Sequence, residues 1–207
     1  IYLWIIYRIG VRPLFPIFQT IRGAPENTDL SIFIRHAHRY PINFPFIGDA
    51  VRLTAQGESY AIAFGKLAAS RLAPGRLETS PVPRCVMTLE KIIHGAGWDR
   101  NGVINPMLYH AYSKMQFHDV LLPKKFRMIP KTISKIIHES LKNDHNRSVM
   151  NIYITHDTVI AQMVSYLFSR PIKRSEWPGY LDGFALWRLD SQVYAAWRDQ
   201  IRWIPEL

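Results

Sequence analysis

Residues 35–41 read Arg-His-Ala-His-Arg-Tyr-Pro, which sets two guanidinium and two imidazole groups directly after the apolar run Leu30, Ile32, Phe33 and Ile34. Burying guanidinium groups is costly unless an anion compensates. The economical arrangement is an anion pocket at the carboxyl end of a strand, with an imidazole placed to react. Two other places hold matching chemistry: Arg84 in the first turn of a predicted helix, and His156-Asp157 after a second apolar run, Val149 to Ile154. Arg35, Arg39 and Arg84 together suit the equatorial oxygens of a transferring phosphoryl group, whose charge they stabilise increasingly toward the transition state. One imidazole can take the phosphoryl group covalently and divide the reaction into two steps. Asp157 can protonate the leaving oxygen and later activate water. This chemistry needs no metal and no other cofactor, and the acid-rich spacing of two-metal sites is absent from the sequence.

Those side chains have to be held by the elements around them. Ala24 to Asp29 is a turn-rich lead-in to a strand over 30–34. Residues 40–53 read as an irregular loop, and Thr54 as the N-cap of a helix with Tyr60, Ala61, Phe64, Leu67, Ala68 and Leu72 at helical spacing. Pro74-Gly75 is expected to stop that helix, with a short strand at 77–79. Ser80-Pro81 reads as an N-cap followed by proline at the first helical position, and Gly95 and Gly97 as the helix end. Residues 98–130 lack a clean period and form a small excursion. A helix returns at 131–143, a strand at 149–154, a helix at 158–168, and a hairpin at 183–189 and 193–197. Alternating strands and helices predict an α/β fold, a three-layer sandwich with a largely parallel central sheet. Ligands of such sheets bind beyond the carboxyl ends of the strands, where both histidine clusters fall.

The length of 207 residues fits a single domain, 1–207, with residues 1–29 as an N-terminal arm. A hydrophobic share of 48% is enough for a sizeable core, and a net charge of +10 points to anionic partners. Cys85 is the only cysteine, which excludes an intrachain disulfide. The apolar, aromatic stretch Ile1 to Tyr7, followed by Arg8, Arg12 and Arg22, is far too short to span a bilayer. It reads either as a membrane-surface segment, with peripheral contact through residues 1–22, or as an arm packed on the domain. Pro13 and Pro16 break any long amphipathic helix there. A cytoplasmic or membrane-surface location is expected, with the periplasm left open and the oligomeric state undetermined.

At this point the motifs carry a resemblance. Arg35-His36-Ala37-His38-Arg39-Tyr40-Pro41 resembles the Arg-His-Gly-x-Arg-x-Pro signature of the histidine phosphatase superfamily. Leu53-Thr54-Ala55-Gln56-Gly57 is similar to the Leu-Thr-x-x-Gly segment that follows it there. Thr79 to Cys85 resembles the family's Ser-x-x-x-Arg block, and Thr155-His156-Asp157-Thr158 its second-histidine block. The order agrees over residues 30 to about 168. The resemblance implies a phosphoglycerate mutase-like fold and a phosphomonoesterase using a phosphohistidine on His36. It also implies that Arg35, Arg39, Arg84 and His156 bind the phosphoryl group. The His156-Asp157 pair is similar to the acid phosphatase branch, in which the aspartate is the proton donor, and Asn105 to Tyr112 holds no glutamate of the mutase-like kind. A protonated Asp157 would favour turnover at mildly acidic pH. Ala37 stands where the family has glycine.

Around this set, His38, Tyr40, Phe44, Phe46, Trp177 and Tyr180 are candidates for contacting the substrate. For His38 the alternative is solvent, and for the aromatics it is core packing. Asp182 is a weaker pocket candidate, and Cys85 reads as packing. The expected partner is an anionic phosphorylated small molecule. Rival readings are a phosphoryl-transfer mutase and a non-catalytic phospho-ligand or membrane-surface binding module. Nucleic-acid binding is not expected, because only the charge supports it.

Overall fold

A computed structural model of the chain describes residues 15–42, 45–113, 131–142 and 148–205. The side chains of residues 45–47 and 110–113 are outside the description, as is all of Phe44. In chain order the main elements are α1 Pro16–Thr20, β1 Leu30–Arg35, α2 Ala55–Ala69, β2 Ala73–Thr79, α3 Pro83–Ala96, β3 Val103–Ile104 and α4 Pro106–Ser113. They continue with α5 Lys131–Ser140, β4 Val149–Thr155, α6 Asp157–Leu167, β5 Gly183–Leu189, β6 Gln192–Trp197 and β7 Gln200–Trp203. The sheet order is β3-β2-β4-β1-β5-β6-β7. The first four of these strands are parallel, and β5, β6 and β7 add on antiparallel from β1.

Strand parity sorts the core into two layers of helix around the sheet. Ile32 and Ile34 of β1 and Met150, Ile152 and Ile154 of β4 face α2 and α3, packing with Phe64, Leu89 and Ile92. Phe33 and Tyr153 face the other way, toward Leu108 of α4, Ile133, Ile136 and Ile137 of α5, and Val159, Ile160 and Met163 of α6. Phe33 is stacked between Tyr153 and Phe184, with ring centroids at 4.5 and 5.0 Å. The result is the three-layer α/β sandwich that the strand–helix alternation predicts. Helices α2 and α3 lie very close: a methyl on Gly65 would meet the Ile92 carbonyl, and one on Gly95 the Ile62 carbonyl.

Two local expectations change. Pro74 and Gly75 lie inside β2, next to an irregularity in its register with β4. Proline is tolerated there because the ladder is already interrupted. Helix α3 begins two residues later than the sequence suggests, with Val82 as N-cap and Pro83 in the first turn. Ser80 instead continues the strand pairing, its N–H donating to the Ile154 carbonyl at 3.0 Å. Within the arm, Phe15, Ile17 and Ile21 are buried, and Phe15 and Phe18 pack on Phe64 at 5.5 and 4.8 Å. The apolar side chains of residues 15–21 are thus spent on the core and unavailable to a membrane, and residues 1–14 lie outside the described residues. No helix among the described residues is long and apolar enough to cross a membrane. The excursion contributes β3 and α4, and residues 114–130 fall outside the described ones.

Candidate active site

The site is built where β1, β4 and β2 end side by side. Arg35 pairs with Thr155 in register, and Thr79 with Ile154. His36 and His156 therefore emerge at one level, with Ser80 one residue lower, beside Thr155. The His36 N–H donates to the Thr155 carbonyl at 3.1 Å, which brings His36, His156 and Ser80 together. Parity places Arg35 with Phe33 on the α6 side of the sheet. There its Nη2 meets Asp157 Oδ2 at 2.9 Å, in the first turn of α6.

His36 is 3% exposed. Its Nδ1 lies 2.9 Å from the Ala37 carbonyl, which can only accept, so Nδ1 carries the proton and Nε2 keeps a lone pair. Arg84 Nε donates to that Nε2 at 3.1 Å. Burial holds His36 well below the usual imidazole range, and the Arg35 and Arg84 charges push the same way. The nucleophile candidate is consequently a neutral imidazole. Ala37, at the position where the signature it resembles has glycine, is fully buried, with its N–H donating to Thr88 Oγ1 at 3.0 Å.

Arg84, 2% exposed, joins three parts of the site. Besides Nε on His36, its Nη2 approaches His156 Nδ1 at 3.2 Å and its Nη1 donates to the Gly48 carbonyl at 2.7 Å. Gly48 sits in a 3-10 turn, Pro45–Ala50, that structures part of the 40–53 loop, and Asp49 of that turn accepts from the Tyr109 hydroxyl of α4 at 2.8 Å. With Nδ1 of His156 accepting from Arg84, Nε2 carries the proton and is 3.2 Å from Ser80 Oγ. His156 is also held well below the usual range, first by burial and then by Arg84, Arg35 and Arg39. Ser80 is a site residue that sequence reasoning assigned to capping. A Ser-Pro pair looks the same in either role, and only the strand register reveals which applies.

The remaining candidates divide clearly. Arg39 donates to its neighbouring Tyr40 carbonyl at 2.8 Å, and its charge reaches Arg35 and His156 without contacting the imidazoles. Tyr40 is 57% exposed, next to the Arg39–Leu53 bridge. His38 neither faces open solvent nor points into the pocket freely. Its Nδ1 is 2.8 Å from Thr54 Oγ1, the same hydroxyl that caps α2 by accepting from the Gly57 N–H at 3.0 Å. A side chain at Gly57 would collide with the His38 carbonyl, so the Leu-Thr-x-x-Gly segment holds α2 directly against the histidine loop.

The loop before β5 closes the other side. Tyr180 lies 4.3 Å from the Arg35 guanidinium, 5.8 Å from the His36 ring and 4.9 Å from the His38 ring. Pro178 accepts from Arg35 Nη1 at 2.9 Å, and Trp177 Nε1 donates to Asp157 Oδ2 at 3.3 Å. Asp182 is a scaffold for this loop: its carboxylate accepts from the Gly179 and Gly183 N–H groups and its carbonyl from the Arg35 N–H. Burial raises the Asp182 carboxyl above its ordinary value. Arg35 Nε is buried with no hydrogen-bond partner, one unused donor in the pocket. Cys85 is buried against His156 Nε2 at 3.8 Å, its thiol pushed up to about 12 by burial, which makes it inert packing. Among the described residues no group of three His, Cys, Asp or Glu is placed to hold a metal ion. Chemically, the site offers one neutral imidazole lone pair, one more imidazole, two buried guanidinium groups and a half-buried carboxylate.

No protein-family model matches the chain, and no curated protein resembles it in sequence. Solved structures do share its fold. A phosphoserine phosphatase variant from Entamoeba histolytica, in complex with phosphoserine, superposes with a TM-score of 0.55 at 13% identity, covering 84% of this chain and 96% of that one. A candidate alpha-ribazole-5'-P phosphatase from Escherichia coli gives 0.52 at 14% identity, covering 86% and 96%. A mycobacterial glucosyl-3-phosphoglycerate phosphatase gives 0.50 at 14%, covering 84% and 100%. At these identities the likeness is one of architecture: this chain has the phosphoglycerate mutase-like fold.

Proposed function

We propose that this protein is a phosphomonoesterase that hydrolyses an anionic, phosphorylated small molecule through a phosphohistidine on His36. The observation that carries this reading is the state of His36: a buried neutral imidazole whose Nδ1–H is fixed on the Ala37 carbonyl, with the Nε2 lone pair turned to Arg84. On binding, Arg84 and Arg35 turn their N–H groups from resting partners to phosphoryl oxygens, and the Arg35 Nε–H gains an acceptor. His36 Nε2 then attacks phosphorus, the bond to the leaving oxygen breaks, and Asp157 supplies that oxygen with a proton. In the second half a water gives its proton to the Asp157 carboxylate and attacks phosphorus, and the N–P electrons return to Nε2. Arg39 contributes field, and His156 flanks the phosphoryl group while bridging Arg84 to Ser80. With Asp157 as the acid, the proposed chemistry is of the acid phosphatase kind and calls for no metal. Solved proteins of the same fold act on phosphoserine and on glucosyl-3-phosphoglycerate, which supports a small phosphorylated substrate.

The test is rapid quench with a labelled phosphomonoester. The wild type is expected to give an acid-labile, alkali-stable phosphoenzyme and to turn over equally well in the presence of a chelator. His36→Ala should lose the phosphoenzyme and at least about 10³-fold in kcat. Full turnover by His36→Ala would overturn the mechanism.

A further inference from the structure

Asp157 is gripped at both carboxylate oxygens. Oδ1 accepts the Thr158 N–H at 2.9 Å, and Oδ2 accepts from Arg35 Nη2 at 2.9 Å and Trp177 Nε1 at 3.3 Å. Trp177 stands on a braced stretch. The preceding 3-10 turn, Arg174–Glu176, is tied by a two-pronged Arg170–Glu176 pair at 2.7 and 2.8 Å and by Arg198 donating to the Glu176 carbonyl at 3.0 Å. Its indole body packs on the second core cluster. An indole N–H can only donate, so it occupies one lone pair of Oδ2 and cannot itself exchange a proton with substrate. The other occupied lone pair of that oxygen is the one facing Arg35, on the side of the phosphoryl pocket.

We propose that Trp177 is a positioning residue for proton donation. Its N–H pins Asp157 Oδ2 so that the lone pair released when Arg35 turns to the phosphoryl group is the one that carries the proton to the leaving oxygen. Without the indole the carboxyl group rotates about its last torsion as Arg35 departs, and the proton loses its line to the leaving group. Misplacement of a reacting group on this scale costs up to about two orders of magnitude in rate. The proposal rests on Asp157 as the acid.

Leaving-group dependence separates positioning from plain packing. An alkyl phosphate needs a proton on its departing oxygen, whereas p-nitrophenolate leaves without one. In Trp177→Phe, kcat/KM on an alkyl phosphate such as glycerol 2-phosphate is expected to fall about tenfold, a fraction of the roughly 10²–10⁴-fold that a general acid contributes. On p-nitrophenyl phosphate kcat/KM, which reports phosphoenzyme formation and not the water step that Asp157 also serves, should change less than about twofold. In an Asp157→Asn background the same change should cost nothing further. Replacing Trp177 by benzothienylalanine, which keeps the shape and removes the N–H, should reproduce the split and covers the case in which the phenylalanine variant fails to fold. No loss, equal loss on both leaving groups, or a loss that persists beside Asp157→Asn overturns the role of Trp177. If Asp157→Asn itself keeps full activity on the alkyl phosphate, the acid assignment fails, and the proposal with it.

Discussion

Arg84 donates to three acceptors in three directions, and the fork of a guanidinium is what makes this geometry reachable. A lysine ammonium is a point charge on a flexible stem and can serve one of those directions at a time. Arg84→Lys is therefore expected to keep the net charge and still lose about 10²–10³-fold in kcat, measured on p-nitrophenyl phosphate so that the acid step is not limiting. Ser80 sits one link further out, 3.2 Å from the proton-bearing Nε2 of His156. Ser80→Ala leaves that buried donor with Cys85 Sγ at 3.8 Å, a weak acceptor. A buried donor poorly satisfied costs about 1–3 kcal/mol, to be read from denaturant midpoints. His36, His156 and Asp157 were legible as candidates because dense charge after an apolar run has few structural explanations, and Arg84 because it stood in the first turn of an expected helix. Ser80 was not, since its pairing partner is 76 residues away.

At the level of elements, helix α2 and the histidine loop share one joint. Thr54 caps the helix and holds His38, and Gly57 lets the helix come up against the His38 backbone. Two effects compete in Gly57→Ala. Alanine improves helix propensity by about 1 kcal/mol, but its methyl would collide with a backbone carbonyl that is itself accepting the Thr54 N–H. Backbone cannot yield as a side-chain tip can, so the clash should win. The variant is expected to be less stable by about 1–3 kcal/mol, with the loss visible in thermal melting and a raised KM as residues 36–39 shift. The helix and strand types themselves followed from period and punctuation. Misplaced boundaries, such as β2 running through Pro74-Gly75 and α3 starting at Pro83, arise because a sheet register can absorb a proline that local pattern treats as a stop.

Across the whole molecule, stability should depend on pH through the two buried imidazoles. His36 and His156 both titrate well below 6.5 when folded, while in the unfolded chain they titrate near 6.5. Their contribution is a depressed folded value, so it is fully present above about pH 6.5. As pH falls below that point the unfolded chain takes up protons that the folded one refuses, and stability drops until the folded values are reached. Each histidine can change the folding equilibrium by up to roughly tenfold per pH unit in that window. Chemical unfolding between pH 7 and 5 should show this slope, and His156→Asn should reduce it. An unchanged slope in that variant would mean that the imidazole accepts its proton in place. A neutral imidazole at His36 is thus tied to a core that weakens in acid.

Hydrophobic period, turn residues and the spacing of charged side chains determined the α/β alternation, the two strand ends that hold the histidines and the candidates for reacting groups. These are properties of short windows, and a chain carries them locally. Tertiary structure decided what meets what. Trp177, Pro178 and Tyr180 reach Arg35, His36 and Asp157 only because β5 adds antiparallel to β1, which returns a loop to Arg35 from 143 residues away. Contacts of that length have no local signature, so the sequence could nominate Trp177 and Tyr180 but only the folded molecule shows what they meet.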